Sequence, residues 1–210
     1  TLIYVDGTKG WQDIHDSTSD VTGQTFICSS GGNATLTCGD FKTHIFTGDG
    51  TFTVNSVSNL PANNTVEYLV VAGGAGGGDG SGTGGGGAGG FRTTYPSPVS
   101  AGLPVSAQAY PITIGAGGSF STSPSSKGTS GNVSTFSSIT SAGGGGGGSE
   151  NPSSSVRNGV NGGSGGGGVH QPSSGGSGNT PPVSPPQGNN GGTGGSCYSG
   201  GGGGGAAAVG

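Results

Sequence analysis

Val66-Glu-Tyr-Leu-Val-Val-Ala72 runs without a break into Gly73-Gly-Ala-Gly-Gly-Gly78, and the fold turns on how that junction is read. The first half is a run of strand formers, long enough for a central strand buried on both faces. The second half carries no side chain beyond the methyl group of Ala75. Similar blocks follow at 84–90 with Ala88 inside it, and at 143–148, 162–168, 191–195 and 200–205. Eight of the 55 glycines precede residue 73 and 47 lie in the last 138 residues, so the composition breaks at Ala72.

Glycine and proline together make up 67 of 210 residues, a share at which low-complexity disorder is the default expectation. Collagen is excluded, because it needs glycine at every third place with other residues between. A third state fits the blocks: extended left-handed helices of the polyproline II kind, three residues per turn, formed here by glycine alone. Without Cβ atoms such helices approach until their backbones bond laterally. That contact is required, since the helix has no internal hydrogen bonds and buried backbone groups must find partners. Ordering a residue costs about 1–2 kcal/mol, and a lateral N–H bond returns about 0.5–1.5 kcal/mol. The balance is near zero, so the bundle needs depth and a tether that folds by itself. The fold class expected is therefore mainly β plus irregular structure, with almost no α-helix. A small N-terminal β region, 1–72, precedes a polyglycine II helix bundle with side-chain-bearing loops, 73–210.

Strand-like pieces read as 2–5, 10–14, 26–28, 36–38, 110–114 and 133–139. The pieces 26–28 and 36–38 are placed to pair. His44–Thr47 and Thr51–Val54, joined by Gly48-Asp49-Gly50, read as a hairpin. If the blocks alternate in direction, loops 79–83, 119–131, 149–161 and 196–199 share one end. Loops 91–111 and 169–190 then share the other; the assignment depends on the block count, and treating 175–178 as a further helix flips the last of these placements.

Net charge is −4 with only five basic residues, which leaves no electrostatic footprint for nucleic acid. No apolar run reaches the roughly 20 residues of a membrane helix, so no membrane insertion is expected. The absence of methionine and a start within a strand-like run lead to the expectation that this is a piece of something longer. Cys28 and Cys38 bracket a turn-like Gly31-Gly32-Asn33, so a disulfide across a hairpin and two ordinary thiols are both open. Gly-x-Gly-x-x-Gly matches arise by chance at this glycine content and lack the strand, helix and later acid that nucleotide binding needs. Isolated histidines, and acids gathered in the polar stretch 6–20, point to neither a metal site nor a hydrolytic pair. No enzyme activity and no cofactor are expected.

Chemistry lies instead in the residues that interrupt the glycine. Tyr95, Phe120, His170 and Tyr198 stand among Ser, Gly and Asn, the combination of rigid rings and adaptable polar groups found in antibody paratopes. They are the receptor-binding candidates, and capping of the bundle ends is the other reading of the same rings.

Residues 39–78, GDFKTHIFTGDGTFTVNSVSNLPANNTVEYLVVAGGAGGG, together with FRTTYPSPVSAGLPVSAQAYPITIGAGG at 91–118 and VSPPQGNNGGTGG at 183–195, resemble the glycine-rich domain of bacteriophage tail fibre and structural proteins, especially those of cyanophages. The opening YVDGTKGW at 4–11 resembles the repeat preceding that domain. The blocks are also similar in kind to polyglycine II tail-fibre adhesin tips, whose exposed loops select the host. The resemblance implies a non-enzymatic virion appendage, extracellular, with host cell-surface protein or glycan and other virion fibre subunits as partners. A homo-oligomer is compatible with it. The alternatives are a purely structural fibre or decoration protein and, less favoured, an ice-binding or matrix protein.

Overall fold

Where side chains are plentiful the chain forms sheets, and where they vanish it forms straight runs tied by their backbones. The computed structural model describes residues 2–4, 11–13, 25–95, 102–170 and 172–210. The described fold is mainly β with almost no helix. The strands are β1 (Leu2–Tyr4), β2 (Trp11–Asp13), β3 (Cys28–Ser30), β4 (Ala34–Cys38), β5 (Phe41–Ile45), β6 (Gly50–Ser56), β7 (Thr65–Val66), β8 (Leu69–Val71), β9 (Phe91–Thr93), β10 (Leu103–Pro104), β11 (Ala109–Thr113), β12 (Ser134–Phe136) and β13 (Ile139–Ser141). Helix is limited to a 3-10 turn at Pro61–Asn63 and the single turn α1 (Ser154–Arg157).

The main sheet has the order β13-β12-β11-β6-β3, all antiparallel, so strands on both sides of residue 72 build it. Alternation along β6 sends Phe52 and Val54 inward. They meet Val70, Val105, Tyr110 and Phe136 in the core. Phe136 is its hub, edge-on to Phe52 at 5.8 Å and to Tyr110 at 6.3 Å, the geometry that ring quadrupoles prefer.

Three strand expectations are corrected. His44–Thr47 and Thr51–Val54 do not pair: β5 pairs with β4, and β6 pairs with β3 and β11. Phe46 instead drops onto the core beside Gly50, and the chain crosses between two sheets there. Nor do 26–28 and 36–38 pair, because Gly31 (φ 110°) and Gly32 (φ 95°) swing the chain out of β3 into a separate hairpin. The run 66–72 is no central strand. It splits into β7, paired with β10, and β8, paired with β9, leaving Val70 buried while Leu69 is 60% and Val71 49% exposed. The glycine runs around it have no side chains with which to cover a second face. Cys28 and Cys38 are free, exposed thiols, Cys28 opposite Ser56 and Cys38 opposite Phe41 on different sheets.

Beyond the sheets the hydrogen bonds repeat every three residues. Ala72, Ala75 and Gly78 donate to the carbonyls of Gly90, Gly87 and Gly84 at 2.9–3.1 Å. Gly84, Gly87 and Gly90 donate in turn to Gly148, Gly145 and Ala142, while Gly85 and Ala88 donate to Gly201 and Gly204. Followed through the chain, this pattern defines segments I (72–78), II (84–90), III (115–121), IV (128–132), V (142–148), VI (157–162), VII (163–169), VIII (174–179), IX (188–192) and X (200–205). Successive segments alternate in direction. Their bonding partners order them into three layers: X-II-I-III, then IX-VII-V-IV, then VIII-VI. Segment VII is bonded to six others, its N–H groups donating to II, V, VI and IX and its carbonyls accepting from V, VIII and X. The close approach depends on glycine: a Cβ at Gly145 or Gly166 would overlap the carbonyl of Val160 or Gly146.

Strands β8, β11 and β13 lead into segments I, III and V, and β9 and β12 leave II and IV. The main sheet and the β8–β9 ribbon therefore gather at one end of the layers, called here the strand end. Gln187, 1% exposed, pins that end: its Oε1 accepts from Ala142 N at 2.8 Å and its Nε2 donates to the Pro181 carbonyl at 2.8 Å.

Candidate functional site at the loop end

The opposite end carries the loops 79–83, 122–127, 149–156, 170–173 and 193–199, since each follows an odd-numbered segment. The loop expected to span 169–190 is interrupted by segment VIII, and the one expected over 149–161 by segment VI. These two additions leave the earlier loops at the ends assigned to them but move residue 170 across the molecule. His170 belongs at the same end as Tyr198.

Hydrogen bonds knit these loops together. Ser149 Oγ, fully buried, accepts from Asp79 N at 2.8 Å, and Glu150 N donates to the Asp79 carbonyl at 2.9 Å. The Glu150 carboxylate accepts from Ser81 N at 2.7 Å. Asn151 Nδ2 donates to the Pro124 carbonyl at 3.0 Å, tying in the next loop, which is itself organised around the buried Ser121 hydroxyl, 2.8 Å from the carbonyls of Ser123 and Ser126. Beside it, burial pushes the Lys127 ammonium below its usual range.

The turn 195–199 is closed by Gly195 N donating to the Ser199 carbonyl at 3.1 Å. It holds Cys197 (φ 62°) and Tyr198 (φ 56°) in the left-handed region, uncommon for residues with side chains. Its base is pressed against loop 79–83, where a Cβ at Gly82 would overlap the Tyr198 carbonyl. Tyr198 emerges 64% exposed and meets the His170 ring at 5.1 Å between centroids, inclined by 57°.

Of the four candidate rings, only these two come together. Phe120, 69% exposed, stands at the loop end but on segment III, at the far side of the first layer from segment X. Tyr95 follows β9 and so lies at the strand end.

Among the loops of this end an open groove of about 450 Å³ is lined by Ser154, Asn158, Pro172, Ser173, Ser174 and Thr193. Its walls are bonded to each other: Gly159 N donates to the Ser174 carbonyl at 2.9 Å, and Asn158 Oδ1 accepts from Ser174 N at 2.9 Å. Ser173 Oγ and, in α1, Arg157 Nε are enclosed without a hydrogen-bond partner. Sequence reasoning missed this groove. The available clue was Asn158 and Asn161 standing three apart, with Ser174 and Ser177 spaced alike; the two amides accept from those two backbone nitrogens in register. Among the described residues no group of three or more His, Cys, Asp or Glu side chains could hold a metal ion, and no helix is long and apolar enough to cross a membrane.

A side-chain-poor layered body, closed by sheets at one end and bearing knitted loops at the other, is the architecture to be placed. The chain belongs to the glycine-rich domain family, whose model matches residues 46–210. The match opens at Phe46, one of the residues packed against the core. Comparison with curated proteins and with solved structures found no match.

Proposed function

We propose that this chain is a non-enzymatic appendage domain of a bacteriophage virion, a tail fibre or similar structure, whose loop end contacts the host surface. In this reading segments I–X are polyglycine II helices acting as a rigid mount. The three-residue hydrogen-bond period and six-fold neighbourhood of segment VII support it, since a threefold extended helix turns its N–H and C=O groups to all sides. The observation that carries the functional part is the separation of ends: every strand that continues into a segment does so at one end, and the side-chain-bearing turns crowd the other. Binding residues are disproportionately found on loops held by a rigid scaffold.

Exchanging loops 149–156 and 193–199 for those of a phage with another host range is expected to switch adsorption between bacterial strains. Unchanged adsorption after exchange of all five loops would refute the reading. A second role, packing against other fibre subunits, is favoured by one feature: Leu69, Val71 and Phe91 lie exposed on the same face of the β8–β9 ribbon at the strand end. Self-association of the purified chain that Leu69→Ser abolishes would support that role.

A further inference from the structure

A ligand whose polar groups are nearly all hydroxyls fits the groove at the loop end. We propose that the groove bounded by Ser154, Asn158, Pro172, Ser173, Ser174 and Thr193 binds one neutral pyranose unit of a cell-surface polysaccharide, with Tyr198 offering a ring face at its margin. This rests on the reading of the loop end as the host-contacting surface.

Three of the six lining residues, Ser154, Ser174 and Thr193, are exposed and carry hydroxyl groups, each able both to donate and to accept, and none of the six is charged. Such a lining discriminates poorly between ions and suits a partner with alternating hydroxyl donors and acceptors. Asn158 adds an amide whose oxygen is already committed to Ser174 N, leaving its NH2 group to donate to a ligand oxygen. Pro172 supplies an apolar surface. Pro172 stands two residues beyond His170 in the chain, and Thr193 two residues before the turn that carries Tyr198, so the groove and the ring pair share the loop end. An aromatic face beside a hydroxyl-lined cleft accommodates the apolar C–H face of a sugar ring.

The volume, about 450 Å³, lies in the range of small-molecule sites. The walls are also preformed, because segments VI and VIII are locked by backbone bonds, so binding orders little of the protein. A protein receptor would call for a broad apolar patch here, yet the other exposed ring at this end, Phe120, stands across the layer on segment III.

The test titrates the full chain, followed by backbone amide NMR, with glucose, galactose, rhamnose, N-acetylglucosamine and glucuronate. At least one neutral pyranose is expected to shift amides of 154–158, 172–174 and 193 with millimolar affinity. Ser174→Ala and Thr193→Val, each with an unchanged melting curve, are expected to weaken that affinity roughly tenfold, and Phe41→Ser on β5 to leave it unchanged. No shifts from any of the five sugars, shifts elsewhere only, preference for glucuronate, or affinity insensitive to both groove variants would overturn the proposal. Labelled protein applied to a panel of bacterial strains, cyanobacteria included, separates the two claims. Binding abolished by periodate oxidation of the cells supports a saccharide. Binding abolished only by protease treatment overturns the saccharide and keeps the host-contact reading, whereas binding to no strain removes that reading and leaves the titration to judge the groove.

Discussion

Around Phe52 and around Gly145 the chain buries its backbone by opposite means. In the sheet region inward side chains fill the space and neighbouring strands satisfy the hydrogen bonds of one plane. In the segments the space is filled mostly by backbone, with few side chains such as Ser164 and Val169 buried among it, and hydrogen bonds leave segment VII towards six neighbours. The first arrangement gains its stability from apolar burial at about 25 cal/mol per Å², and tolerates changes of shape at modest cost. The second gains little from burial and has no slack at all. One methyl group is too much where a carbonyl already occupies the position of the missing Cβ.

The sharpest way to break this comparison is Gly145→Ala or Gly166→Ala. Each is expected to abolish the cooperative thermal transition, whereas Gly74→Ala, where a Cβ would meet nothing closer than 3.9 Å, is expected to change stability by no more than about 0.5 kcal/mol. If all three melt alike, the close-packed description of segments V and VII fails. On the other side of the comparison, Phe136→Ala should lower the stability of the sheet region by about 3–5 kcal/mol, read by chemical denaturation, because it empties the hub of the aromatic core.

Where the two regions meet, Gln187→Ala strips partners from the Ala142 amide and the Pro181 carbonyl, with an expected loss of about 1–3 kcal/mol for each group left buried and unpaired. Ser164 inverts the sign. Its hydroxyl is fully buried within segment VII and without a partner, so Ser164→Ala is expected to be neutral or stabilising by about 1 kcal/mol. A marked loss of stability would show that the hydroxyl is satisfied after all.

The smallest effect concerns Lys127. Its lowered pKa means that folding disfavours the ammonium, so a burial penalty is fully present below the folded-state value. That penalty is relieved as pH rises through the folded-state value towards the unfolded one. Lys127→Gln is therefore expected to raise the melting temperature slightly at neutral pH, with the difference from wild type shrinking in alkali. A difference that grows in alkali would contradict the assigned cause.

Much of this was legible in residues 66–78 and their echoes. Glycine blocks, strand formers on their flanks and the near absence of helix follow from local composition. So does the presence of rings such as Tyr198 in the interruptions. Pairing was less legible. The 44–54 region reads as a hairpin because Gly48-Asp49-Gly50 is good turn chemistry, yet Phe46 gains more by joining the core than β5 gains by pairing with β6. The segment count was hidden as well, because VI and VIII carry Val160, Asn161, Ser177 and Asn179 among their glycines and do not look like blocks. A count without VI, and with 175–178 only as an alternative helix, leaves most loops on the correct end while sending His170 to the wrong one.

By itself the amino-acid sequence determined that about a third of the chain after residue 72 is glycine, with no side chain to pack, and that functional chemistry is to be sought in the residues between the glycine runs. Only the tertiary structure decided which of those residues meet. A glycine segment encodes no partner in its own composition; its neighbours are chosen by the register of backbone bonds across three layers. That register alone brings Tyr198 to His170 and the groove, and leaves Tyr95 at the other end of the molecule.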